Sequence, residues 1–157
     1  MRSTAFTSLA LALAPVLAAA QGPAAGCYAR TYSQAHLASQ PAQVVARLGL
    51  RIDGPLDAAG TSGELVAVLA DQGRAREAGL GRAALTQALF CYEDAAGPVC
   101  GVDCDGGLAR LDVAPDGALL LTTDYLMVGG ACDVGGFDLV ERVGEDVTYR
   151  LLPEACG

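Results

Sequence analysis

Five aspartates crowd one stretch of the chain: Asp103, Asp105, Asp112, Asp116 and Asp124. Carboxylates gathered in this way suit general acid–base chemistry, or hard oxygen ligation of calcium. Their spacing departs from an EF-hand loop. Asp103-Cys104-Asp105 opens like one, but Gly107-Leu108-Ala109 follows with no oxygen-bearing side chain. Asp105 and Asp116 each stand next to glycine, where aspartate favours turns by bonding to its own backbone. The plain reading is therefore of turn formers and solvated strand positions. A carboxylate-dependent or calcium-dependent hydrolase is the enzymatic alternative.

His36 is the single histidine, and imidazole is the side chain whose ordinary titration falls near neutrality. Ser33 and Ser39 lie close to it in sequence. A triad also needs an orienting acid and an oxyanion hole, and no Gly-x-Ser-x-Gly elbow occurs. The chain has no lysine, so Schiff-base chemistry is excluded. His36 reads as a surface histidine in an N-terminal loop. The glycine pairs Gly106-Gly107, Gly129-Gly130 and Gly135-Gly136 precede no helix and carry no lysine, so they read as turns and bulges rather than phosphate cradles. Aromatic residues are too few for a carbohydrate face built on stacked rings: there is no tryptophan, with three phenylalanines and five tyrosines. No catalytic residue, metal or cofactor is assigned on this basis.

Six cysteines, Cys27, Cys91, Cys100, Cys104, Cys132 and Cys156, point to three disulfides in a small exported domain. Zinc is the competing reading, but no Cys-x-x-Cys pair occurs, and the closest spacing is Cys100-x3-Cys104. That spacing is also wrong for a redox dithiol. Roughly 15 pairings are open to six cysteines. The preferred set joins Cys27 to Cys156 near the two ends, and Cys91 to Cys100 across a hairpin turning at residues 94–97. Cys104 and Cys132 remain for the third.

Export is expected from residues 1–20. Met1-Arg2 is a minimal positive start, an apolar run extends from Ala5 to Ala20, and Ala18-Ala19-Ala20 is a small-residue cleavage pattern. The run is shorter than the roughly 20 apolar residues of a membrane span. A cleaved leader then leaves residues 21–157 as one domain, located in the periplasm or secreted, with no span in the mature chain. Cleavage removes Arg2 and no acid, so the formal charge of −8 becomes −9. Such a charge argues against nucleic acid or anionic lipid, which demand a basic face. It is compatible with a cationic exported protein, or with a small ligand bound locally. Abundant Ala, Gly, Arg and Asp without Lys is the mark of a GC-rich bacterial coding sequence.

The elements that must carry these residues are mainly strands. Val44, Ala46, Leu48, Leu50 and Ile52 alternate with Val45, Arg47, Gly49, Arg51 and Asp53, the period of a half-buried strand. Residues 65–70 form a short apolar run that reads as a strand buried on both faces. Residues 73–90 are ambiguous: a turn or short helix up to Arg82, then a strand through Tyr92. Strands are expected at 98–104, with Cys100, Val102 and Cys104 on one face, and at 108–113 and 118–123 around Pro115-Asp116-Gly117. A further hairpin is expected from 137–142 and 147–152; its weak likeness to the preceding one reads as coincidence in a Gly- and Asp-rich chain, with internal duplication as the alternative. Before all of these, residues 21–41 are polar and small, with Ser33 placed to cap one helical turn through His36 and Leu37.

The expectation is a mostly β domain: a small antiparallel meander closed as a barrel or a sandwich, with one short helix, stapled by three disulfides. Its expected role is that of an exported non-catalytic binding or inhibitor-like module of the bacterial cell envelope. The hydrolase is one alternative, and a structural envelope component without a discrete ligand is another.

Overall fold

A computed structural model describes residues 22–132 and 135–157. The expected leader lies outside the described residues.

The chain folds as a closed antiparallel barrel of eight strands. β1 (Gly26–Thr31) leads through α1 (Gln34–Ser39) to β2 (Val45–Ile52), and β3 (Thr61–Leu69) leads through α2 (Gly73–Glu77) to β4 (Ala84–Asp94). β5 (Gly97–Gly101), β6 (Gly107–Val113) and β7 (Leu119–Val128) continue the meander, followed by β8 (Phe137–Asp138) and β9 (Val147–Glu154). Each strand from β1 to β7 pairs with its successor. β9 then pairs with both β7 and β1 and closes the ring, while β8 adds to β7 alone. Closure gives every strand of the ring a partner on both sides over at least part of its length, where an open antiparallel sheet would leave two bare edges.

Period-2 alternation supplies the core. Leu48, Leu50, Leu65, Leu111, Leu119, Leu121, Leu151 and Tyr149 point inward, none more than 2% exposed. Eight strands enclose a space that side chains can just fill, and this interior is filled by aliphatic groups. The alternation predicted for 44–53 holds from Leu48 to Ile52. At its start a register shift between Val45 and Arg47 buries Val44 and Val45 together and leaves Ala46 only half-buried. β3 is longer than expected, and its Val66 and Val68 face outward, half-buried, so that strand is buried on one face and not two. The ambiguous stretch 73–90 resolves into α2 and the first half of β4.

Four expectations need correction. Residues 26–31, read as loop, form β1. Two helices are present rather than one. The segment after Phe137 does not form a hairpin with β9. β8 covers only Phe137–Asp138 and pairs with Met127 and Val128, and β9 pairs with Leu119–Thr123. The resemblance between the last two strand–turn–strand segments is therefore not a duplicated hairpin. The strand expected at 98–104 ends at Gly101, and Cys104 sits in the following turn, off the face shared by Cys100.

The disulfides are Cys27–Cys156, Cys91–Cys100 and Cys104–Cys132, the preferred set. Cys91 and Cys100 are directly opposite in the β4–β5 ladder, with Cα atoms 4.0 Å apart, across a hairpin turning at residues 95–96. Three closed disulfides belong to an oxidising compartment. Among the described residues no helix is long and apolar enough to cross a membrane.

Candidate functional site

The antiparallel register places α1, α2, the β5–β6 turn and the segments 129–132 and 135–146 at one end of the barrel. The turns at 53–60, 95–96 and 114–118 and the Cys27–Cys156 bond lie at the other. The first end is plugged. Ser33 caps α1 as expected, its hydroxyl accepting from the His36 N–H at 3.1 Å. The Gln72 side-chain amide reaches the carbonyls of Leu37, Gln40 and Gln43 at 2.7–3.2 Å and fastens α2 to the end of α1. Arg74 donates to the Val140 carbonyl at 2.8 Å, and the Tyr149 hydroxyl donates to that of Leu139 at 2.7 Å. Leu37, Ala75, Leu139 and Val140 are buried beneath these ties.

At the margin of the plug the ring parts. β1 and β9 pair at Cys27–Glu154, Tyr28–Pro153 and Ala29–Leu152, and no further. Beyond Ala29, β1 keeps only its pairing with β2, extended by the Tyr32 N–H donating to the Ala46 carbonyl. The gap is an open cleft of about 270 Å³ lined by Arg30, Tyr32, His36, Glu141, Tyr149 and Arg150, among others.

The His36 imidazole is set by its neighbours. Gln43 is 5% exposed and its amide nitrogen donates to the Val45 carbonyl at 2.8 Å. A carbonyl only accepts, so the Gln43 amide is oriented with Oε1 toward His36, whose Nε2 lies 2.9 Å away. His36 Nε2 therefore carries the proton and donates, leaving Nδ1 as the second ring nitrogen. The Tyr32 ring stacks on the imidazole with centroids 4.9 Å apart, and the Arg30 guanidinium lies 5.1 Å from the same ring. Burial pushes the Tyr32 phenol above its ordinary range. Arg30 opposes that rise and Glu141 adds to it. On Arg150, Nη2 meets Asp116, whereas Nη1 is buried with no hydrogen-bond partner.

The aspartates singled out by the sequence are divided between the two ends. Asp103 and Asp105 come together beside Cys104–Cys132, in a second cleft of about 300 Å³ shared with Gln87, Tyr125 and Met127. Asp105 and Cys104 both adopt left-handed backbone, with φ of 59° and 60°, as a tight turn requires. Asp112 and Asp124 are exposed on the outer faces of β6 and β7. Asp116 sits in the turn at the far end, where the Ala118 N–H and then Arg150 hold its carboxyl below the ordinary value. Asp94 is lowered by Arg110 in the same region. Among the described residues no group of three or more His, Cys, Asp or Glu side chains is arranged to hold a metal ion.

Sequence reasoning singled out His36 but missed Arg30, Tyr32, Glu141 and Arg150. Arg30 lies in β1 and Tyr32 just past its end, two residues on, a relation that becomes visible only once β1 is known to be a strand. No family model, curated protein or solved structure matches the chain.

Proposed function

We propose that this chain is an exported binding module, acting in the periplasm or outside the cell, that takes a small charged ligand in the cleft between β1, α1 and β9. The observation that carries this reading is the ordered array of Arg30, Tyr32 and His36 on the open side of a filled barrel. Groups already fixed by stacking and by the Gln43 bond lose little freedom when a ligand arrives, which is the advantage of preorganisation. The same geometry favours binding over proton transfer. His36 gives its Nε2 proton to a carboxamide, which is no base, instead of to a carboxylate or a reacting hydroxyl.

Native mass spectrometry of the protein recovered from the exported fraction tests this. The mass is read before and after adding the low-molecular-weight fraction of the same cells' envelope extract. A small-molecule increment is expected, and Tyr32→Ala should remove it while the protein remains folded by circular dichroism. A bare chain mass under both conditions overturns the reading.

A further inference from the structure

We propose that the ligand of this cleft is a zwitterion carrying a carboxylate beside an ammonium group, the pattern of an α-amino acid. Its carboxylate lies on Arg30 and its ammonium on Glu141. The inference rests on the reading of the cleft as a binding site and adds the class of ligand.

Nearly all the arginines of this chain are already committed. Residues 21–157 contain nine of them against 18 acids. Seven, at positions 47, 51, 76, 82, 110, 142 and 150, have a carboxylate within 4.0 Å. Arg74 is committed to the Val140 carbonyl and the Phe137 ring. Arg30 alone has neither a carboxylate nor a carbonyl among the described residues, and rests on the face of Tyr32. In a chain with a twofold excess of acid, an arginine without an acid partner at the wall of a cleft is a site held open.

Glu141 lines the same cleft and likewise has no ion-pair partner among the described residues. Arg30 and Glu141 share one small space without closing on each other. Each therefore needs a counter-charge, and the two needs have opposite sign. A simple anion would satisfy Arg30 and be repelled by Glu141, and a simple amine would meet the reverse. A zwitterion satisfies both. A carboxylate has two oxygens and can accept a paired bond from the Arg30 guanidinium. The volume, about 270 Å³, lies just below the roughly 300–1,000 Å³ of pockets for drug-sized molecules. That suits a ligand of a few heavy atoms, with its side chain against Tyr32.

Calorimetric titration of the exported protein with each of the common L-amino acids tests the class, with acetate, inorganic phosphate and ethylamine as half-ligands. At least one amino acid is expected to bind, with each half-ligand at least ten-fold weaker. Arg30→Gln and Glu141→Gln should each weaken that amino acid ten-fold or more without lowering the melting temperature. Acetate or phosphate binding as tightly as any amino acid overturns the zwitterion while leaving the cleft a binding site. An extract-derived mass increment with no amino acid bound overturns it in the same way. If neither the extract nor any titrant binds, both readings fall.

Discussion

Tyr149 joins the barrel wall to its plug. Its ring is in the core at 2% exposure, while its hydroxyl donates to the Leu139 carbonyl in the segment that covers the end. Tyr149→Phe keeps the ring and removes the donor, leaving a buried carbonyl unpaired. The expected loss is about 1–3 kcal/mol, read as a lower denaturant midpoint with an unchanged slope. The same residue sets a pH dependence. Burial drives the Tyr149 phenol far above its ordinary value, with Glu141 adding to the rise, and burial also raises Tyr28 and Tyr32. A group whose folded pKa is raised contributes stability that is complete below its unfolded value, about 10 for tyrosine. That stability is lost as pH climbs toward the folded value. Stability should therefore be flat up to about pH 10. Above that it should fall by about 1.4 kcal/mol per pH unit for each tyrosine kept protonated. Tyrosinate absorbance should appear together with unfolding, and Tyr149→Phe should make the alkaline limb shallower. Tyrosinate forming fully before the circular dichroism changes would contradict the account.

At the level of elements, the turn into β6 depends on Gly107. Its φ is +86°, and a Cβ there would run into the Tyr125 carbonyl on β7. Val102 N–H donates to the Gly107 carbonyl at 2.9 Å and Met127 N–H to that of Gly106 at 2.8 Å, so the turn is stitched to both neighbouring strands. Gly117, in the next turn, has a similar φ of +82° with nothing near its missing side chain. Comparing the two alanine variants separates conformational cost from close approach. Gly117→Ala should cost about 1 kcal/mol for the left-handed backbone alone. Gly107→Ala should cost distinctly more, since β7 must shift as well. Equal losses in melting experiments would show that the approach of Tyr125 carries no energy.

These turns also show how far the sequence could be read. Pro115-Asp116-Gly117 and the 94–97 hairpin are local signals, written in residues that accept unusual φ, and both stand where expected. The Cys91–Cys100 bond followed from the hairpin alone. β1 was hidden because Gly26-Cys27-Tyr28-Ala29-Arg30-Thr31 has little strand propensity of its own. It is a strand because β2 and β9 pair with it on both sides. The turn at residues 144–146 announced a reversal but not the partner, and β9 found β7 and β1 instead of β8. The candidate site was illegible for the same reason. His36 meets Glu141 and Arg150 only because the ring closes across more than a hundred residues of chain.

Closure is the property of the whole molecule on which both stability and the cleft depend. The β1–β9 ladder that completes the ring has three residue pairs, against eight between β3 and β4. Beside its last pair, Cys27–Glu154, lies the Cys27–Cys156 bond, with a sequence separation of 129. A loop of that length contributes about 5 kcal/mol in the chain-entropy model, whereas one of the length closed by Cys91–Cys100 contributes about 3. The longest loop in the chain thus guards one of its shortest ladders, and the cleft opens at the unpaired end of that same ladder. Replacing Cys27 and Cys156 together with alanine should lower stability by about 3–5 kcal/mol. It should also do so unevenly. Amide exchange at Ala29 and Leu152 should accelerate well beyond that of β3 and β4, because the ring can open at this junction while the rest of the meander stays paired. Ligand affinity should fall with it, since Arg30 lies on β1, one of the two strands that part. Uniform acceleration across all eight strands would instead mean that the ring fails as a unit, with the disulfide acting on the unfolded chain alone.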